Sequence, residues 1–201
     1  LEDDNIRERL ILAAIQKQDY EKVLELTTDG LQQDAQYRGI VAKWRNYAFT
    51  AHKALGHKEE MRTLAKQLLI GGDMDYLAEL KQLYTAQQWP LEREQLLDDV
   101  KSANGHIYAG LIVEELQTAR ILAYCKESPN RIEHYYPYIK EHYYEDVCAL
   151  FIDFIERKAS NATDRKRYQD VCRSIQTMQK AGYQVEAKHL ISDLLQAYAK
   201  R

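Results

Sequence analysis

A short phrase that recurs along the chain constrains its fold more than any other feature. Tyr144-Glu145-Asp146-Val147-Cys148 returns as Tyr168-Gln169-Asp170-Val171-Cys172, and Tyr20-Glu21-Lys22-Val23 is a fainter echo. Each opens a stretch whose apolar residues recur at helical spacing. Repetition of a helical unit points to an array of helix pairs, each burying its inner face only by stacking on its neighbours. The chain has 3 Pro and 8 Gly in 201 residues, too few breakers for the many turns of an all-β protein.

The apolar pattern divides the chain into helices. Ile6, Leu10, Ala13 and Ala14 form a first face. Asp19 is placed to cap a second helix, with Tyr20, Val23, Leu24, Thr27 and Leu31 inward. Tyr37, Ile40, Val41, Trp44, Ala48, Ala51 and Leu55 make a long stripe that Gly56 stops. Met61, Leu64, Ala65 and Leu68 lie on a helix ending at Gly71-Gly72, and Asp73 is expected to cap a helix carrying Leu77, Leu80 and Tyr84. Pro90 suits a first helical turn, with Leu96, Leu97 and Val100 facing in as far as Asn104-Gly105. Ile107, Tyr108, Leu111 and Ile112 follow, and a turn near Leu116-Gln117 leads to Ile121, Leu122 and Cys125.

Ser128-Pro129-Asn130 reads as a loop, and Pro137 is expected to kink or restart a short helix. Val147, Cys148, Phe151, Ile152 and Ile155 mark a long helix that ends near Ala159-Ser160. Val171, Cys172, Ile175 and Met178 mark the next. Val185, His189, Leu190, Leu194 and Tyr198 mark the last, with helix expected on through Arg201. About a dozen helices at ~34 residues a pair is the length of tetratricopeptide-type repeats. The expected fold is therefore all-α: a right-handed superhelix, or α-solenoid, of about six antiparallel, tetratricopeptide-like helix pairs. Residues 1–201 read as a single helical-repeat domain. The tetratricopeptide Trp…Leu-Gly…Tyr signature is not legible in any unit.

Composition narrows the function. The formal net charge of −3 lacks the basic excess usual in nucleic-acid modules. No apolar run approaches the ~20 residues of a membrane span, and the acidic start Leu1-Glu2-Asp3-Asp4-Asn5 is no signal peptide. That start also lacks an initiating Met, so the chain reads as a fragment of a longer one. Three cysteines, Cys125, Cys148 and Cys172, make no disulfide framework; reduced thiols packed as small apolar groups fit better and point to the cytoplasm.

The motifs of chemistry are missing. His52, His57, His106, His134, His142 and His189 show no CxxC, HxxxH or HExxH spacing. Cys148 with His142 is the pair nearest to a metal or thiol site, yet the two lie six residues apart with no cluster to lower a thiol pKa. Gly71-Gly72 lacks a Walker lysine. Neither catalytic residues, nor a cofactor, nor a metal is expected. The interaction signal is tyrosine, with 15 Tyr against 3 Phe. Tyr135, Tyr136, Tyr138, Tyr143 and Tyr144 cluster, and Tyr buries a large ring while its hydroxyl stays wet; packing between repeats is the favoured role, with some of the five exposed because ten successive positions cannot all face inward. Arg165 and Arg167, flanking Lys166 after Asp164 at a helix start, are expected to form an exposed, solvated face, with a phosphate contact as the alternative.

Several segments carry a family resemblance. Tyr136-Pro137-Tyr138-Ile139-Lys140-Glu141-His142-Tyr143-Tyr144-Glu145-Asp146-Val147 resembles the C-terminal helical region of bacterial SWIM zinc-finger proteins. So does the tail, through Arg167-Tyr168, Val171-Cys172, Ile175, Lys180-Ala181-Gly182, Ala187, Leu190-Ile191, Leu194, Tyr198 and Lys200-Arg201. Leu55-Gly56-His57-Lys58-Glu59-Glu60 and Trp89-Pro90 with Arg93 fit the same region. In that family a zinc finger of pattern CxCx(n)CxH precedes the helices, and none of its ligands occurs here. The resemblance implies the detached helical part of a larger protein. The expected function is a non-catalytic scaffold for a protein or peptide partner, with nucleic-acid binding as the alternative.

Overall fold

The computed structural model describes residues 2–198. Among them every regular element is helical, with twelve α-helices, and within each unit the helices pack mainly on near neighbours in sequence, as an all-α array of hairpins requires. Ala199, Lys200 and Arg201, expected to be helical, lie outside the described residues. Contacts divide the chain into two units, Leu1–Gly110 and Leu111–Arg201. The first holds α1 (Glu2–Gln16), α2 (Tyr20–Gln33), α3 (Arg38–Leu55), α4 (Lys58–Gly71), α5 (Tyr76–Gln82) and α6 (Trp89–Ala103). The division falls inside α7 (Gly105–Glu114). The second unit continues with α8 (Thr118–Glu127), a 3-10 turn at Pro129–Arg131, α9 (Ile132–Ile139), α10 (Tyr144–Ser160), α11 (Arg165–Lys180) and α12 (Gln184–Tyr198).

One turn geometry recurs at the helix ends. After α1, α3, α4, α7 and α11, a residue with positive φ follows the helix: Gln18 (58°), Gly56 (75°), Gly72 (124°), Leu116 (49°) and Gly182 (111°). At each, the next amide donates back to the carbonyl five residues earlier: Asp19 to Ala14, His57 to His52, Asp73 to Leu68, Gln117 to Ile112 and Tyr183 to Met178. This pairing satisfies the last carbonyls of the helix and reverses the chain within two or three residues. A non-glycine residue there costs roughly 1–2 kcal/mol, so Gln18 and Leu116 are held in place by the packing on either side.

The core of the first unit is built around Trp44, fully buried with Ile11, Ala14, Val23 and Ala51. Its indole N–H donates to Asp34 Oδ2 at 2.8 Å, and Arg7 Nη1 donates to the same oxygen at 2.9 Å. The Arg7 guanidinium and the Lys43 ammonium sit 5.6 and 5.2 Å from the Trp44 ring, within cation–π range. On the same side of α1, Glu8 accepts from Lys43 Nζ (2.9 Å) and Tyr47 Oη (2.8 Å), and those bonds hold its carboxyl below the usual carboxylate range. Burial and the bond to Glu8 push the Tyr47 phenol up to about 12.

In the second unit α10 is the central helix, contacting α8, α9, α11 and α12. Phe151 and Tyr183 are fully buried, their ring centroids 6.1 Å apart, and Tyr183 Oη donates to the Tyr144 carbonyl at 3.0 Å. Each such aromatic removes about 150–250 Å² from water, worth about 4–6 kcal/mol at ~25 cal/mol per Å².

Several local expectations are corrected. The inner face of α1 is Ile11 and Ala14, whereas Ile6 (57%) and Leu10 (52%) are exposed. Arg7 and Glu8 must point inward to meet Trp44, Asp34, Lys43 and Tyr47, which turns the helix away from its most apolar stripe. On α12, Ala187 and Leu190 are buried, while Val185 is 62% exposed and His189 is exposed. Asp73 does not cap α5: its carboxylate accepts from the Asp75 amide, and the helix starts at Tyr76 and ends before Tyr84. Pro137 lies inside α9, which continues through it to Ile139 without restarting. Tyr20 and Tyr144 open their helices, but Tyr168 is the fourth residue of α11, whose start is capped by Asp164 accepting from the Arg167 amide.

Gly30 tests the Trp44 core. A Cβ there would lie 2.8 Å from Trp44 Cδ1 and Nε1, with no room for the ring to yield. Gly30→Ala is expected to destabilise the protein by about 1–3 kcal/mol. Gly39→Ala, with nothing within 4 Å of the added carbon, is expected to be neutral or stabilising by up to ~1 kcal/mol. Urea denaturation of the two variants checks both.

Candidate functional site

The five clustered tyrosines do not share one environment. Tyr135, on α9, is half-buried and edge-on to Tyr124 of α8, with centroids 5.6 Å apart. Tyr136 packs on Phe151 at 5.5 Å. Tyr143 precedes α10 half-buried, its ring 6.3 Å from that of His142. Only Tyr138 (40%) and Tyr144 (50%) are exposed, and Tyr144 leans on Tyr183 at 4.5 Å. The cluster therefore works mostly as packing between consecutive helices, with two rings reaching solvent.

Arg165 and Arg167 are exposed in the first turn of α11. Arg167 is engaged locally: Nη1 donates to the Asn161 carbonyl at 3.1 Å, and Nε lies 3.4 Å from Asp164 Oδ2. A groove of about 480 Å³ beside it also carries Arg157 and Lys158. Arg157 pairs with Asp153 at 2.7 Å, and Lys158 donates to Ser174 Oγ at 2.8 Å. Arg157, Lys158 and Arg167 thus already have protein partners.

An apolar concavity lies on α11 and α12, in a groove of about 410 Å³ whose floor includes Val171 and Ile175. Tyr168 (43% exposed) and Leu195 (67%) stand at its sides, with Ile191, Leu194 and Tyr198 along α12. Gln176 and Gln179 supply polar groups at the edge. Cys172 opens into this groove and is exposed, which corrects the expectation of three packed thiols. Cys125 and Cys148 are buried as expected, and burial pushes the Cys125 thiol up to about 11 and raises that of Cys148. A raised thiol pKa works against nucleophilic or metal chemistry at Cys148, and His142 is exposed in the loop before α10. Tyr168, absent from the sequence candidates, carried its signal in the recurring phrase.

One group of three side chains among the described residues has the spacing of metal ligands. The ligand atoms of His52, His57 and Glu60 all lie within 4.8 Å of one another. A search by motif passes over them because two helices and the turn at Gly56 separate the donors. The readable signal was a histidine on either side of a helix-stopping glycine.

Burial raises the phenol pKa of Tyr76, Tyr84, Tyr135 and Tyr183. No helix among the described residues is long and apolar enough to cross a membrane. No family model matches the chain, and neither a curated protein nor a solved structure matches it.

Proposed function

We propose that the chain is a non-catalytic helical scaffold that binds a partner protein in the cytoplasm, through an amphipathic helix of that partner laid into the groove of α11 and α12. The apolar groove is the observation that carries this reading. Tyr168, Val171, Cys172 and Ile175 form one helical stripe, and Ile191, Leu194, Leu195 and Tyr198 form another. Two such ridges with a trough between them accept a third helix whose apolar side chains repeat every three or four residues. The same unit uses this arrangement internally, where α10 is packed by both α11 and α12. Three free thiols suit a reducing compartment.

The resemblance to bacterial SWIM zinc-finger proteins supports placing this scaffold as the helical part of a longer protein. The coding sequence upstream of Leu1 tests that placement. A CxCx(n)CxH pattern there supports it, and a complete upstream sequence without one contradicts it.

Selection of displayed helical peptides on the purified chain tests the groove. The expected outcome is enrichment of sequences with apolar residues at i, i+3 or i+4, and i+7. Their binding should be lost in the double variant Tyr168→Glu/Leu195→Glu, whose helix content by circular dichroism stays unchanged because neither side chain is buried. No enriched pattern, or binding indifferent to the double variant, would contradict the reading.

A further inference from the structure

We propose that His52, His57 and Glu60 form a binding site for a divalent transition-metal ion of the zinc class, built on the turn that joins α3 to α4. The turn creates the site. Gly56 adopts the left-handed conformation, the Gly56 amide donates to the Lys53 carbonyl (3.4 Å), and the His57 amide donates to the His52 carbonyl (3.0 Å). That pairing brings the side chains of residues 52 and 57 together, a contact that is ordinarily apolar. At the four other helix ends of this kind, the position of His52 is held by Ala14, Leu68, Ile112 and Met178. At Gly56 both partners are histidines.

Their geometry is that of two ligands on one ion. The Nδ1 atoms are 3.2 Å apart, with ring centroids at 5.4 Å. Two nitrogens each ~2.0–2.1 Å from a tetrahedral zinc ion stand about 3.3 Å apart. Glu60 sits three residues after His57, where a side chain in the first turn of a helix reaches back toward the residue that starts it. Its carboxylate belongs to the same 4.8 Å group. Two imidazoles and a carboxylate form a donor set of intermediate softness that suits zinc and its neighbours rather than calcium or magnesium.

The carboxylates of Glu60 and of Glu21 on α2 place negative charge near the two imidazoles, which favours a bound cation. Three protein donors leave a tetrahedral ion one position short. His52 and Glu60 also line a groove of about 580 Å³ between α2, α3 and α4, bounded by Leu24, Leu31 and Leu64. Water, or a donor from a molecule in that groove, completes the shell.

Cobalt(II) is the probe, because its visible absorption reports tetrahedral coordination, and zinc displaces it. Titrated at neutral pH, the full chain is expected to bind a single equivalent of cobalt, released by a single equivalent of zinc. His57→Ala is expected to weaken cobalt binding by about 100-fold or more, and Glu60→Gln by about 10-fold. Glu60 is exposed and His57 half-buried at the turn, and circular dichroism should show the helices intact. His189→Ala and Cys172→Ser, at exposed positions elsewhere, are expected to bind as the parent does. Failure of the parent chain to bind cobalt stoichiometrically would overturn the proposal, since the histidines would then be only a hydrogen-bonded pair. So would binding that survives His57→Ala, or binding that is lost in Cys172→Ser.

Discussion

The structure depends on how its helices end. A helix leaves its last carbonyls unpaired, and a chain that reverses direction after every helix has only a few residues in which to satisfy them. Five of the helices do so in the same way, with one left-handed residue and an amide that donates five residues back. The bond satisfies the terminus and fixes the angle at which the next helix departs. It also presses two side chains together across the turn. In most of these turns that pair includes an apolar residue that joins the core, as with the buried Met178 and Tyr183. The stacking of consecutive helices then follows, because each departs already folded back on the last.

Within each unit the core is organised by an aromatic with a polar contact. Trp44 is fully buried, yet its N–H is paired with Asp34, and Arg7 shares that carboxylate. Tyr183 is fully buried and donates to a main-chain carbonyl of α10. Burying such groups without partners would cost about 1–3 kcal/mol each. No buried side-chain nitrogen or oxygen among the described residues lacks a partner. The polar contacts set the rotation of the helices that supply them.

This explains which parts of the fold were legible in the sequence. Helices with apolar inner faces, such as α3 with Trp44, Ala48 and Ala51, read correctly, as did the stops at Gly56 and Gly182. The rotation of α1 did not. Its inner face mixes Arg7 and Glu8 with Ile11 and Ala14, so the apolar stripe through Ile6 and Leu10 points the wrong way. The helix start at Asp164 was legible in the acidic residue that precedes Arg165-Lys166-Arg167, and the recurring phrase at Tyr168 falls one turn inside that helix. The tyrosine cluster reads in the sequence as packing with some rings exposed, but which rings reach solvent depends on the fold. A helix and a turn send them to different partners, Tyr124, Phe151 and Tyr183 among them. The groove of α11 and α12 and the His52–His57 pair were hidden for the same reason, since each needs two helices to exist.

The turns therefore link fold to function: the left-handed residue at Gly182 sets α12 beside α11 and shapes the proposed docking groove, and that at Gly56 brings the two histidines together. Native-state amide hydrogen exchange followed residue by residue is the most direct test of this dependence. The amides of Asp19, His57, Asp73, Gln117 and Tyr183, which donate at 2.8–3.3 Å across the turns, are expected to be protected as strongly as those inside the adjoining helices. Exchange of these amides at the rate of an unstructured peptide, while the helices remain protected, would contradict the account.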